Sequence, residues 1–189
     1  MMDAFSYLSV LLSIVLGLAI TQLLSGFAAM VRARNRMTMY WPVPVQMAAT
    51  FLISVQTWWA LFALRERTYW TFASFLVVLM QPVTVYLMAA FITPDLPDSR
   101  LVDLRETYFR ESRWFFAAAT VAIAVSFAKN VVLTGTPPHG ADLIGHLVFF
   151  AGGVVGMISK ADLVHKALAP LILLSYSAYI ALLFVSLPQ

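Results

Sequence analysis

Residues 4–31, 37–64 and 68–94 contain no charged side chain, and three further apolar stretches follow them. About 20 helical residues cross the ~30 Å hydrocarbon layer of a bilayer, so each of these runs is long enough to span it. For most of such a chain the solvent is lipid. Lipid offers the backbone no hydrogen bonds, which leaves helices and closed barrels as the only spanning structures. Apolar residues do not alternate here, and the runs far exceed a barrel strand, so the expected fold is all-α.

Six transmembrane helices are expected in one compact bundle, at about 5–30, 43–64, 70–93, 114–134, 142–159 and 167–187. Charged residues make up 11% of the chain, about half the share in a soluble domain, which excludes an ordinary water-soluble enzyme. Met1-Met2-Asp3 lacks a basic n-region, and the apolar run behind it is too long for a signal-peptide core. It reads as a retained first helix. The absence of cysteine excludes disulfides, thiolate chemistry and cysteine-ligated metals.

Basic residues set the expected orientation. The first, third and fifth connections carry Arg32, Arg34, Arg36, Arg100, Arg105, Arg110, Arg113, Lys160 and Lys166; the second and fourth carry Arg65, Arg67 and Lys129. Nine against three predicts both termini outside a bacterial inner (plasma) membrane. The basic connections would meet anionic lipid headgroups. Because these residues sit between hydrophobic spans, the net charge of +3 is not read as a nucleic-acid signal. In 99–113, Leu101, Leu104 and Tyr108 fall at helical spacing among charges. That pattern predicts an amphipathic helix on the inner leaflet leading into the fourth span.

The stretch from Asp103-Leu104-Arg105 through Tyr108-Phe109-Arg110 to Arg113-Trp114-Phe115-Phe116 resembles a pattern in small six-helix bacterial inner-membrane proteins of uncharacterised function. So do Gln56-Thr57-Trp58-Trp59-Ala60-Leu61 and the first span from Leu12 to Leu24. The resemblance covers roughly the first two thirds of the chain. It implies six helices and a bacterial inner membrane, and no site.

Hydrophobicity does not drive one span onto another in lipid, so close backbone approach and interhelical hydrogen bonds must. The first span repeats small residues every fourth position at Ser9, Ser13, Gly17, Thr21 and Ser25. The fourth repeats the device with Ala118, Ala122, Ser126 and Asn130, and the fifth with Gly145, Gly152 and Gly156. These faces predict either packing within the bundle or an interface with a second copy or a larger complex.

Three glutamines, Gln22, Gln56 and Gln81, lie at similar membrane depth when counted inward from the helix ends at ~1.5 Å per residue. Each amide needs partners there. Gln81 precedes Pro82, which removes a backbone hydrogen bond and favours a kink. Gln46, Thr50, Ser54 and Thr57 share one face of the second span, which should point inward. The functional reading is a polar intramembrane pocket of Gln22, Gln56, Gln81 and Ser54, with Tyr86 or Tyr176 lining it. The plainer reading is interhelical hydrogen bonding.

His139, Asp142 and His146 could ligate zinc, at a spacing that permits a site without being diagnostic of one. Asp142 equally suits a helix N-terminus, with His146 one turn on. No cofactor is expected. Lys129 should snorkel to the nearer boundary, and His165 beside Lys166 should meet solvent or headgroups. No nucleophile elbow, phosphate loop or dinucleotide fingerprint appears, so catalysis is the least supported class. Three functions stay open: binding or transport of a small neutral or lipid-like molecule, an accessory subunit of a membrane complex, and a metal-dependent membrane hydrolase.

Overall fold

The computed structural model describes residues 4–96 and 101–183. Its helices are α1 (Ala4–Ala33), α2 (Pro42–Leu61), α3 (Phe72–Ile92), α4 (Leu104–Thr134), α5 (Gly140–Ile158) and α6 (Asp162–Leu183), all six long and apolar enough to cross a membrane. The expected start of the amphipathic segment at 99–100 and the end of the sixth span at 184–187 lie outside the described residues.

Local signals set the helix ends. Pro42 opens α2 at a position where a missing N–H costs nothing. Thr71 and Ser74 close a reciprocal cap on α3. Asp103 accepts the Arg105 N–H at 2.8 Å to start α4, and Gly135, at φ 74°, ends it.

Five helices form a closed ring. α2 packs on α3, α3 on α4, α4 on α5, α5 on α6, and α6 returns to α2. α1 lies outside the ring, against α2 and α3. Its packed face is Leu12, Leu16, Ala19, Leu23, Gly26, Met30 and Ala33, an alternating four-three spacing that makes a straight seam.

Two ends of the bundle are tied differently. At one end, β1 (Met37–Thr38) pairs in parallel with β2 (Val102–Asp103), joining the first and third connections. Asp162 there holds Arg105 at 3.0 Å and Lys166 at 2.6 Å. Tyr40 is buried beside them; burial and then the Asp162 carboxylate push its hydroxyl above the usual range, although the two make no well-formed hydrogen bond. At the other end, Arg67 donates to the Leu133 carbonyl at 3.0 Å and joins the second connection to the last turn of α4.

The segment expected on the membrane surface is instead the first turns of α4. Leu104 and Tyr108 are buried against protein, while Leu101 is 86% exposed. At 1.5 Å per residue the 31-residue α4 is about 46 Å long, well beyond the hydrocarbon thickness. Its leading turns therefore extend past the span, and their apolar face finds the bundle before it finds lipid.

Candidate functional site: a polar cavity inside the helix ring

The ring encloses a cavity of about 430 Å³. α2, α3, α4, α5 and α6 all contribute to its wall, together with the 3₁₀ turn after α2, and α1 does not. The cavity lies between α2 and α4, which face each other across the ring and are joined by the Gln46–Tyr108 hydrogen bond rather than by close backbone packing. Small side chains at Ala49, Ala119 and Ala122 keep that gap open.

Both polar groups singled out in the sequence converge on this one space. At the end nearest the α4–α5 turn stand Ser126, Lys129, Asn130, Asp142, His146 and Tyr179. The Asp142 carboxylate accepts from the Tyr179 hydroxyl at 2.6 Å and from the Asn130 amide at 3.2 Å. His146 Nδ1 lies 2.8 Å from the Asp142 main-chain oxygen and 3.3 Å from its carboxylate, so Nδ1 carries a hydrogen. With the ring neutral, Nε2 accepts from the Ser126 hydroxyl at 3.1 Å. Lys129 stands in the same wall within electrostatic reach of Asp142, with no hydrogen bond or ion pair among the described residues. It lines the cavity, where snorkelling to the boundary was expected.

Midway, the Tyr176 hydroxyl donates to Gln56 Oε1 at 2.8 Å. Further along lie Gln81 and Gln46, whose Oε1 atoms are both buried without a partner. Gln46 donates its amide N–H to the Tyr108 hydroxyl at 3.0 Å, and Tyr108 lies 2.8 Å from His165 Nδ1. The described helices supply no donor to either amide oxygen. Native proteins rarely leave buried polar atoms this way, so two on one cavity wall are informative.

Other expected site residues lie elsewhere. Gln22 is half-buried on α1, which the ring excludes; shared depth does not imply a shared azimuth. Tyr86 is 37% exposed on the outer face of α3. Ser54 is buried, but its hydroxyl donates to the Thr50 carbonyl one turn back, at 2.8 Å, and it does not line the cavity. His165, expected in solvent, is fully buried. His139 is exposed in the α4–α5 turn, away from the bonded Asp142 and His146. Among the described residues no three His, Cys, Asp or Glu side chains are placed to hold a metal.

The small-residue faces separate in the same way. Ser13, Gly17, Thr21 and Ser25 are all exposed, about 110–170° round α1 from its packed seam. A Cβ added at Gly17 or Gly152 would meet nothing within 4 Å. The close approach of α5 to α4 occurs at Gly153 and Gly156, where an added Cβ would sit 2.5 Å from Thr120 and from the Phe116 ring. Gly145 admits the Tyr179 ring against α5, where an added Cβ would stand 2.8 Å away. Gly153 was not singled out in the sequence, because the GxxxG spacing drew attention to its neighbour.

The architecture defines a class, a multi-pass helical membrane bundle. Compared with family models, curated proteins and solved structures, the chain matches none, so its function is argued from its own geometry.

Proposed function

We propose that this protein binds a small amphipathic molecule in the cavity at the centre of its helix ring. The observation that carries the reading is the pair of unpartnered amide oxygens, Gln46 Oε1 and Gln81 Oε1, on the wall of a space of about 430 Å³. Ligand pockets combine apolar walls with a few convergent polar groups. Here Ile53, Val78, Ile123 and Phe149 supply apolar wall between the glutamines and the Asp142 cluster. Transport across the membrane is a natural extension of such a site, and a bound lipid-like molecule a natural occupant.

The reading extends to placement. A bacterial inner membrane with both termini outside is supported by the nine basic residues on the first, third and fifth connections. Anionic headgroups would contact that end. The outward row Ser13, Gly17, Thr21 and Ser25 favours a second reading, in which α1 seats a second copy or a larger subunit.

Native mass spectrometry of protein gently extracted from its own membrane tests the first reading. A species bound one-to-one, and lost in Gln81→Leu and in the cavity-filling Ile123→Trp, is the expected result. A bare chain in wild type would leave the glutamines as interhelical contacts and overturn it. Larger assemblies that survive Ile123→Trp but dissociate in Gly17→Leu would support the second reading.

A further inference from the structure

The reading of the cavity as a binding site can be carried to the chemistry of its ligand, and the inference rests on that reading. We propose that the cavity selects a ligand bearing a hydrogen-bond donor, an O–H or N–H directed at Gln46 Oε1, and that His165 and Tyr108 enforce this preference from outside the cavity as positioning residues.

The Ser159 main-chain carbonyl can only accept, and His165 Nε2 lies 2.9 Å from it, so Nε2 carries a hydrogen. His165 is fully buried among the rings of Tyr108, Phe109 and Phe116, with centroids 5.4, 4.9 and 5.4 Å away. Among the described residues no carboxylate bonds to either of its nitrogens. An imidazolium there would be a buried charge without a counter-ion, so the ring is neutral. Nδ1 is then bare and accepts the Tyr108 hydroxyl proton across 2.8 Å.

With that proton committed, the Tyr108 oxygen presents only lone pairs to Gln46, 3.0 Å away. An amide oxygen in that position would set acceptor against acceptor. The amide N–H must therefore face Tyr108. The two ends of a glutamine amide are alike in shape and are told apart by their network; here the network reaches back through three side chains to one carbonyl. Oε1 is left fully buried and unpartnered, on a side chain that lines the cavity. Thr50, the polar neighbour one turn along α2, has already given its proton to the Gln46 main-chain oxygen at 2.8 Å. The donor must come from whatever occupies the cavity.

Two isomers make the test. 1-Octanol has an O–H to give, whereas heptyl methyl ether has the same atoms and can only accept. Each is titrated against the full chain in phosphatidylcholine nanodiscs while thermal stability is followed. The shift seen with Ile123→Trp, whose indole takes up part of the cavity across the path of an alkyl chain, is subtracted as the bilayer effect. Wild type should bind the alcohol about fivefold more tightly than the ether, the discrimination expected of one neutral hydrogen bond. In Tyr108→Phe the amide is free to turn, so alcohol binding should persist while the preference falls toward one. Should Tyr108→Phe fail to fold, Gln46→Met removes the acceptor at similar length and should abolish the preference in the same way.

Equal affinity for the two isomers in wild type, or a preference that survives both variants, would overturn the inference and leave the cavity a binding site. If neither isomer binds beyond the Ile123→Trp background, the binding reading falls with it.

Discussion

The two ends of the cavity treat their polar groups in opposite ways. Near the α4–α5 turn, Asp142 collects Tyr179, Asn130 and His146, and His146 passes on to Ser126. Near α2 and α3, Gln46 and Gln81 keep buried oxygens without partners. The first arrangement is self-sufficient and holds three helices in register. The second leaves two acceptors without a donor among the described residues. Polar residues inside one membrane bundle can thus be satisfied at one place and left without a donor at another; the α4 partners of Asp142 and Gln46, Asn130 and Tyr108, are about six helical turns apart.

If the first end is structural, Asp142→Leu should have the largest effect. It removes the carboxylate that accepts from Tyr179 and Asn130, while His146 keeps the main-chain oxygen, and should cost about 2–3 kcal/mol, read as earlier thermal unfolding in detergent or nanodiscs. An unchanged melting temperature would erase the distinction between the two ends. Gln56→Leu leaves the Tyr176 hydroxyl unpartnered and should cost about 1 kcal/mol in the same assay. Gln81→Leu should do the reverse of ordinary polar loss. It removes an acceptor that nothing satisfies, so the ligand-free protein should stay within about 0.5 kcal/mol of wild type or gain slightly, while stabilisation by a bound species disappears. A clear loss of ligand-free stability would show that Gln81 belongs to the self-sufficient class. The smallest effect is expected on α5 itself: Gly152→Leu meets open space and should leave stability within about 0.5 kcal/mol, whereas Gly156→Leu drives into the Phe116 ring and should cost about 1–3 kcal/mol.

The membrane helices were legible because a charge inside a span is costly, so uncharged runs mark them directly. Position along a helix was legible too, since it follows from counting residues. Azimuth was not. Gln22 shares the depth of Gln56, yet its helix is the one excluded from the ring, a fact set by helix–helix packing that no single span encodes. The seam on α1 from Leu12 to Ala33 was present as a four-three spacing, but the row of small residues beside it was the more conspicuous pattern. Tyr108 and His165 were missed as partners because they are 57 residues apart and each was read against its own leaflet boundary. The available signal was the inward-facing Tyr108 on a helix too long for the bilayer. Lys129 was read by its distance along the helix alone, and its place on the cavity wall follows from how the ring packs.

α4 runs unbroken from the Asp103 cap to the left-handed Gly135, carrying Tyr108 near one end, cavity wall along its middle and Asn130 near the other. Such a rod behaves as a lever. A tilt of about 5° around its midpoint would move each end by about 2 Å, given its length at 1.5 Å per residue. A displacement of that size at the Arg105–Asp162 bridge would be felt at the Asn130–Asp142 contact, with the cavity as fulcrum between them. The two ends of this small bundle are therefore joined by one helix that also forms the wall of its cavity.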